Sequence, residues 1–180
     1  MLRNEIIEHG APTLAGLKTG NLFSVKTCKA ELTKEMRSLN AILNKKGLRL
    51  VPVRNTDRHT LVYLYRPGKL KADLRRREAE EILKKKGYNC ENPSCCIVQL
   101  VQHLANDSEF PHEIGLFLGY PPYDVKCFMK NPKAGVQCSG CWKAYRNREG
   151  AAETFEQFAR CTKAYKMEAE KGKPLEELIV

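Results

Sequence analysis

Apolar side chains along this chain recur at two spacings, and the switches between them mark its elements. Leu32, Met36, Leu39 and Leu43 follow one another at three or four residues, the repeat that lays one stripe along a helix. Thr27 before the stripe and Gly47 after it suit an N-cap and a C-terminal turn, so a helix is predicted over residues 27–46. On either side the period shortens to two. Residues 21–26 set Phe23 and Val25 against Leu22, Ser24 and Lys26 and read as a short strand. Residues 48–54 and 59–66, rich in Val, Leu and Tyr, read as two more, joined through Asn55-Thr56-Asp57-Arg58 as a hairpin.

After Pro67 and Gly68 the helical spacing returns. Leu70, Leu74, Ala79, Ile82 and Leu83 predict one helix over residues 69–86 with an inward face, closed by Gly87. Asn92-Pro93-Ser94 supplies an N-cap and a proline at the first helical position for a helix carrying Ile97, Leu100, Val101 and Leu104 as far as Asn106. Shorter helices follow over 111–118, ended by Gly119, and over 122–130; residues 131–140 read as a loop and 142–145 as a last strand. Residues 149–171 read as a long helix burying Phe155, Phe158, Cys161 and Tyr165. Residues 9–20 hold Gly10, Gly16, Gly20 and Pro12 and read as a loop, its small residues letting backbone approach another part of the fold or a ligand. The sum is an α+β fold: a small, mostly antiparallel sheet of three to four strands packed with several helices, in a single domain over residues 1–180.

Composition narrows the setting. No apolar run approaches the roughly 20 residues that span a bilayer, and Glu5 and Glu8 stand where a secretory signal would be continuously apolar, so a cytoplasmic protein with no membrane partner is expected. In that reducing setting the eight cysteines point to metal binding, thiol chemistry or burial before disulfides. The net charge of +10 gathers in residues 26–46 and 69–86, the second run interleaving Lys69, Lys71, Arg75, Arg76, Arg77, Lys84, Lys85 and Lys86 with Asp73, Glu78, Glu80 and Glu81. Such a face either attracts nucleic-acid phosphates or is a solvated helix surface laced with ion pairs. The lack of interleaved aromatics ranks nucleic acid last among the partners.

Three groups of residues offer chemistry. Cys95 and Cys96 fall in the first turn of the helix after Asn92, where free N–H groups favour a thiolate. A cysteine nucleophile at Cys96 needs a base, and His112 beside Glu113, or His9, is the candidate; His103 lies about 10 Å further along the same helix and is out of reach. The plainer alternative makes Cys96 a small buried hydrophobe and His112 an imidazole satisfied by backbone. Thr13, Gly16 and Lys18 are ligand-binding candidates, because loop amides and the helix start at His112 both favour anions, although neither a Walker nor a dinucleotide glycine order is present. Cys138-Ser139-Gly140-Cys141 has the spacing for two ligands to zinc or iron, or for a redox dithiol; completing a metal site calls on Cys90 with Cys95 or Cys96, or on Cys161. The leading functional reading is a small-molecule-binding protein or enzyme with its pocket between residues 9–20 and His112-Glu113. The alternatives are a metal- or thiol-linked protein using Cys138 and Cys141, and a nucleic-acid module using the basic run.

The segment Phe110-Pro111-His112-Glu113-Ile114-Gly115-Leu116-Phe117-Leu118-Gly119-Tyr120-Pro121-Pro122-Tyr123-Asp124-Val125, followed by Gly140-Cys141-Trp142-Lys143-Ala144-Tyr145, is distinctive. With His9, Ala11-Pro12-Thr13-Leu14-Ala15-Gly16 and residues 61–67, it resembles a family of anaerobic and gut Firmicutes proteins, domain of unknown function 3793, over nearly the whole length. The resemblance implies a bacterial cytoplasmic protein of an anaerobe and points to residues 9–20 and the His-Glu pair. It carries over no activity and no site residue.

Overall fold

Strand β3 (Thr60–Tyr65) is the centre of a three-stranded antiparallel sheet, flanked by β1 (Gly20–Val25) and β2 (Arg49–Asn55). With a neighbour on each side, every residue from Val62 to Tyr65 is buried. Strand β2 is an edge strand and tolerates Pro52, which has no N–H to give. Its register slips between Pro52 and Arg54, and the slip resets the alternation so that Leu50 and Val53, an odd number of residues apart, are both buried. The computed structural model describes residues 1–26, 28–56, 59–90, 92–106 and 109–180. They form two compact units, Met1–Lys69 with Arg160–Val180, and Leu70–Ala159. Among the described residues no helix is long and apolar enough to cross a membrane.

In the first unit the sheet packs with α1 (Leu2–Leu14), α2 (Lys29–Lys45) and α9 (Leu175–Leu178) around one core. Leu32, Met36 and Leu43 of α2 are buried there, with Leu39 partly so, as the stripe predicts. Thr27, and Asp57 and Arg58 of the β2–β3 link, lie outside the described residues. The Asn40 amide of α2 donates to the Leu50 carbonyl (2.8 Å) and accepts the Leu50 N–H (3.0 Å), clamping the edge strand by both its backbone groups.

The expected loop over residues 9–20 is instead the last turn and a half of α1, a turn, and the start of β1. Gly10 makes the helix possible where it is: a Cβ there would stand 2.6 Å from Leu64 Cδ2, so the missing side chain lets α1 press onto the central strand. Pro12 sits near the helix end, where its missing N–H costs one intrahelical bond. Gly16 takes φ +71° and the chain folds back, with Leu17 and Lys18 N–H both reaching the Pro12 carbonyl (2.9 and 3.0 Å). Arg66 secures this end. Its Nε donates to the Thr13 carbonyl (2.7 Å), and Nη2 donates to those of Leu14 (2.7 Å) and Val180 (2.6 Å). Burial draws its pKa below the ordinary arginine value.

The predicted basic helix is two, α3 (Pro67–Leu74) and α4 (Arg77–Lys85), and Pro67 begins the first rather than preceding it. The apolar step from Leu74 to Ala79 is five residues, which on one straight helix would swing the stripe by roughly 140°. Extended backbone at Arg76 (φ −62°, ψ 131°) resets the phase, and an Asp73–Arg76 ion pair (2.9 Å) spans the break. Helix α5 (Pro93–Asn106) starts as its sequence implies, Asn92 Oδ1 accepting the Ser94 N–H (2.9 Å). The second unit continues with α6 (Ile114–Phe117), α7 (Pro122–Lys130) and a hairpin of β4 (Cys138–Ser139) and β5 (Lys143–Ala144), so part of the expected loop is strand. Helix α8 (Arg148–Glu170) follows; Phe158 is buried, while Phe155, Cys161 and Tyr165 are half-buried.

Replacing Arg66 by Met keeps an apolar stem and removes all three donors. The expected cost is about 2–3 kcal/mol, read as a lower urea midpoint at unchanged slope; an unaltered midpoint would show that water serves these carbonyls equally well.

Candidate functional site

Four of the nine candidate residues lie in the first unit, on α1 and the turn after it. His9 is exposed, with Nε2 3.3 Å from Glu5 Oε2 and its ring stacked on Phe23 (5.6 Å between centroids). Thr13 is fully buried and donates its hydroxyl to Asn21 Oδ1 (2.7 Å). Gly16 lies under the Arg66 guanidinium, and Lys18 is buried in the turn. The His9 and Thr13 contacts both fasten α1 to β1.

The other five lie in the second unit. Cys96 is fully buried, with its sulfur set against that of Cys90 (Cα–Cα 5.1 Å). Cys95, its neighbour, is exposed and free. His112 and Glu113 lie in the turn before α6 and part company: Glu113 is buried and accepts the Tyr88 hydroxyl proton at Oε1 (3.0 Å), whereas His112 sets its ring edge-on to Phe128 (5.1 Å, 76°). Cys138 and Cys141 are free thiols of the β4–β5 hairpin. Among the described residues no group of three or more His, Cys, Asp or Glu is placed to hold a metal ion.

His112 and Cys141 instead line one cavity of about 250 Å³, with Tyr120, Asp124, Phe128, Trp142 and Lys143. Its frame is Asp124. In the first turn of α7 this carboxylate is 4% exposed, and it accepts the Trp142 indole N–H at Oδ2 and the Tyr145 backbone N–H at Oδ1, both at 2.9 Å. One side chain thus ties the hairpin to the helix and sets the plane of the indole. Tyr120 stacks on Trp142 (5.2 Å, 29°) and Phe155 meets it edge-on (4.5 Å, 77°). A Cβ at Gly140 would enter the Phe155 ring, so any other residue there must displace that ring. One turn beyond Asp124, Phe128 forms another wall, with Lys143 Nζ 5.7 Å from its centroid and donating to the Pro132 carbonyl (2.9 Å). Aromatic walls, an imidazole, a thiol and an ammonium group therefore share one recess.

Burial pushes the Tyr120 hydroxyl well above the ordinary tyrosine range, and the nearby Cys141 thiol adds to the shift. Tyr145 is raised too, by burial, then by Cys127 and Asp124; its hydroxyl is buried with no hydrogen-bond partner among the described residues. Sequence reasoning passed over Tyr120, Asp124, Phe128, Trp142 and Lys143 as chemistry. Two signals were available: a lone tryptophan beside Cys141, and the Asp124–Phe128 spacing that puts both on one helical face.

Asp124→Ala strands the indole and Tyr145 N–H groups. The expected loss is about 2–4 kcal/mol with Trp142 emission moved to the red; unchanged stability and emission would contradict the role given to Asp124. Tyr120 and Tyr145 also set an alkaline limit. Above about pH 10 the unfolded chain releases phenolic protons that the folded chain keeps, so stability falls as pH rises. Urea titrations at about pH 9 and 11 should give a shallower loss in the Tyr120→Phe/Tyr145→Phe variant; an identical slope would assign the alkaline loss elsewhere.

No curated protein and no solved structure matches the chain. The family model described as a protein of unknown function, DUF3793, matches residues 6–179, a span that takes in the Asp124 frame, the His112 turn and the cysteine hairpin. The chain therefore belongs to the DUF3793 family.

Proposed function

We propose that the unit Leu70–Ala159 binds a small flat ring compound carrying an anionic or hydrogen-bond-accepting group, in the cavity beside Trp142. The observation that carries this reading is the recess walled by Tyr120, Phe128 and Trp142 into which His112, Cys141 and Lys143 also open. Concave sites of this kind bind through apolar and aromatic lining and take their specificity from a few polar groups. At about 250 Å³ the recess is smaller than the ~300–1,000 Å³ of drug-sized sites, which suits one or two fused rings. After donating to Pro132, Lys143 has two further N–H donors for an acidic substituent. Thiol chemistry, in this reading, belongs to Cys141, a free and exposed cysteine lining the same recess as His112. The proposal rests on residues of the second unit alone and leaves His9 and Thr13 to the α1–β1 contact and Gly16 and Lys18 to the turn after α1. A bacterial, cytoplasmic setting belongs to the same proposal and is supported by the family resemblance.

Trp142 is the single tryptophan of the chain, so its emission reports on the cavity without labelling. Titration with a panel of one- and two-ring aromatic carboxylates and their neutral amides should give saturable quenching. Lys143→Met should weaken the carboxylates about tenfold while sparing the amides. A panel that leaves the emission flat, or carboxylates indifferent to Lys143→Met, would refute the reading.

A further inference from the structure

A second recess, of about 510 Å³, lies between α4 and α7 and shares no lining residue with the Trp142 cavity. Lys85 and its neighbour Lys86 reach it from the end of α4, and Lys126 and Lys130 from α7. All four are exposed, and none of their ammonium groups makes an ion pair or hydrogen bond among the described residues. Lys126 and Lys130 stand one helical turn apart, about 6 Å along the axis. Against the Glu78 and Glu81 carboxylates on the same lining, the four ammonium groups leave the hollow with an excess of positive charge, which a multiply charged anion converts into attraction. The hollow also has an aromatic wall. Tyr123 lines it, 37% exposed, with the Arg146 guanidinium held 4.0 Å from its ring centroid, and Ile82, Pro122 and Met129 supply apolar surface beside it.

We propose that this recess binds a nucleotide carrying two or more phosphates, the phosphates among the four lysines and the base against Tyr123. A flat base stacks on such a ring whatever its sequence identity. The volume falls within the ~300–1,000 Å³ of small-molecule sites. A discrete nucleotide fits better than a continuous strand, because Glu78 and Glu81 line the same hollow and would confront a phosphate track that ran through it. The charge run over residues 69–86 shows only half of this site: Lys85 and Lys86 belong to it, while Lys126 and Lys130 arrive from a helix that the run does not include.

Calorimetric titration of the full chain at low salt with ADP, ATP, tripolyphosphate and a ten-nucleotide thymidine oligomer tests this. ADP and ATP should bind saturably, and tripolyphosphate more weakly than ATP. The Lys126→Ala/Lys130→Ala variant should lose at least about tenfold in ATP affinity, whereas Lys29→Ala/Lys34→Ala, which removes the same charge from α2, should change it less than about twofold. Both variants should unfold at the wild-type urea midpoint, since all four lysines are exposed. No ATP binding at millimolar concentration, or equal losses in the two variants, would overturn the proposal. Tripolyphosphate matching ATP would remove the base from it, and the oligomer binding more tightly than ATP and displacing it would replace the nucleotide with a strand.

Discussion

Arg66 follows the central strand by one residue, and its guanidinium collects carbonyls from the end of α1 and from Val180. The last carbonyls of a helix have no partner within it, so a buried helix end needs donors from elsewhere. Arginine answers with several donors in one plane on a side chain that stays charged when partly desolvated. Because the same group holds α1, the strand it follows and the C-terminal segment, the first unit closes around a single cation. The turn of residues 15–19 and the buried Leu175, Leu178 and Ile179 adjoin that closure along the chain.

The second unit uses an anion in the same manner. Asp124 accepts one N–H from the indole and one from the backbone of the hairpin, and a buried carboxylate is retained where donors satisfy it. What it holds in place is less a core than a wall. The indole it orients is packed by Tyr120 and Phe155 and still faces a hollow, with a histidine, a cysteine and a lysine around it.

Periodicity made the sheet, the stripe of α2 and the Asn92 start of α5 legible, since each rests on local spacing and short polar side chains. Where nonlocal partners decide, sequence alone misleads. Gly10 and Pro12 read as loop chemistry because nothing local reveals that Leu64 needs the space of a missing Cβ, or that Arg66 waits for the carbonyls that follow. The break at Arg76 was visible in principle, in the five-residue step from Leu74 to Ala79. For the site, His112 and Cys141 could be picked out as reactive types, but their partners could not: Cys96 is set against Cys90, and Glu113 is claimed by Tyr88. The aromatic frame came from residues whose meaning lies in which rings meet.

The Asn40 clamp on β2 also bears on how the protein behaves among its own copies. An edge strand ordinarily presents unpaired amides and carbonyls, a template on which another chain can add a strand. Here both backbone groups of Leu50 are occupied by the Asn40 amide, Pro52 has no amide hydrogen, and the bulge twists the segment that follows. In effect α2 lends the sheet one counterfeit rung. It ends the ladder from within, so that in the folded chain Leu50 and Pro52 offer no free backbone donor to a strand from another molecule.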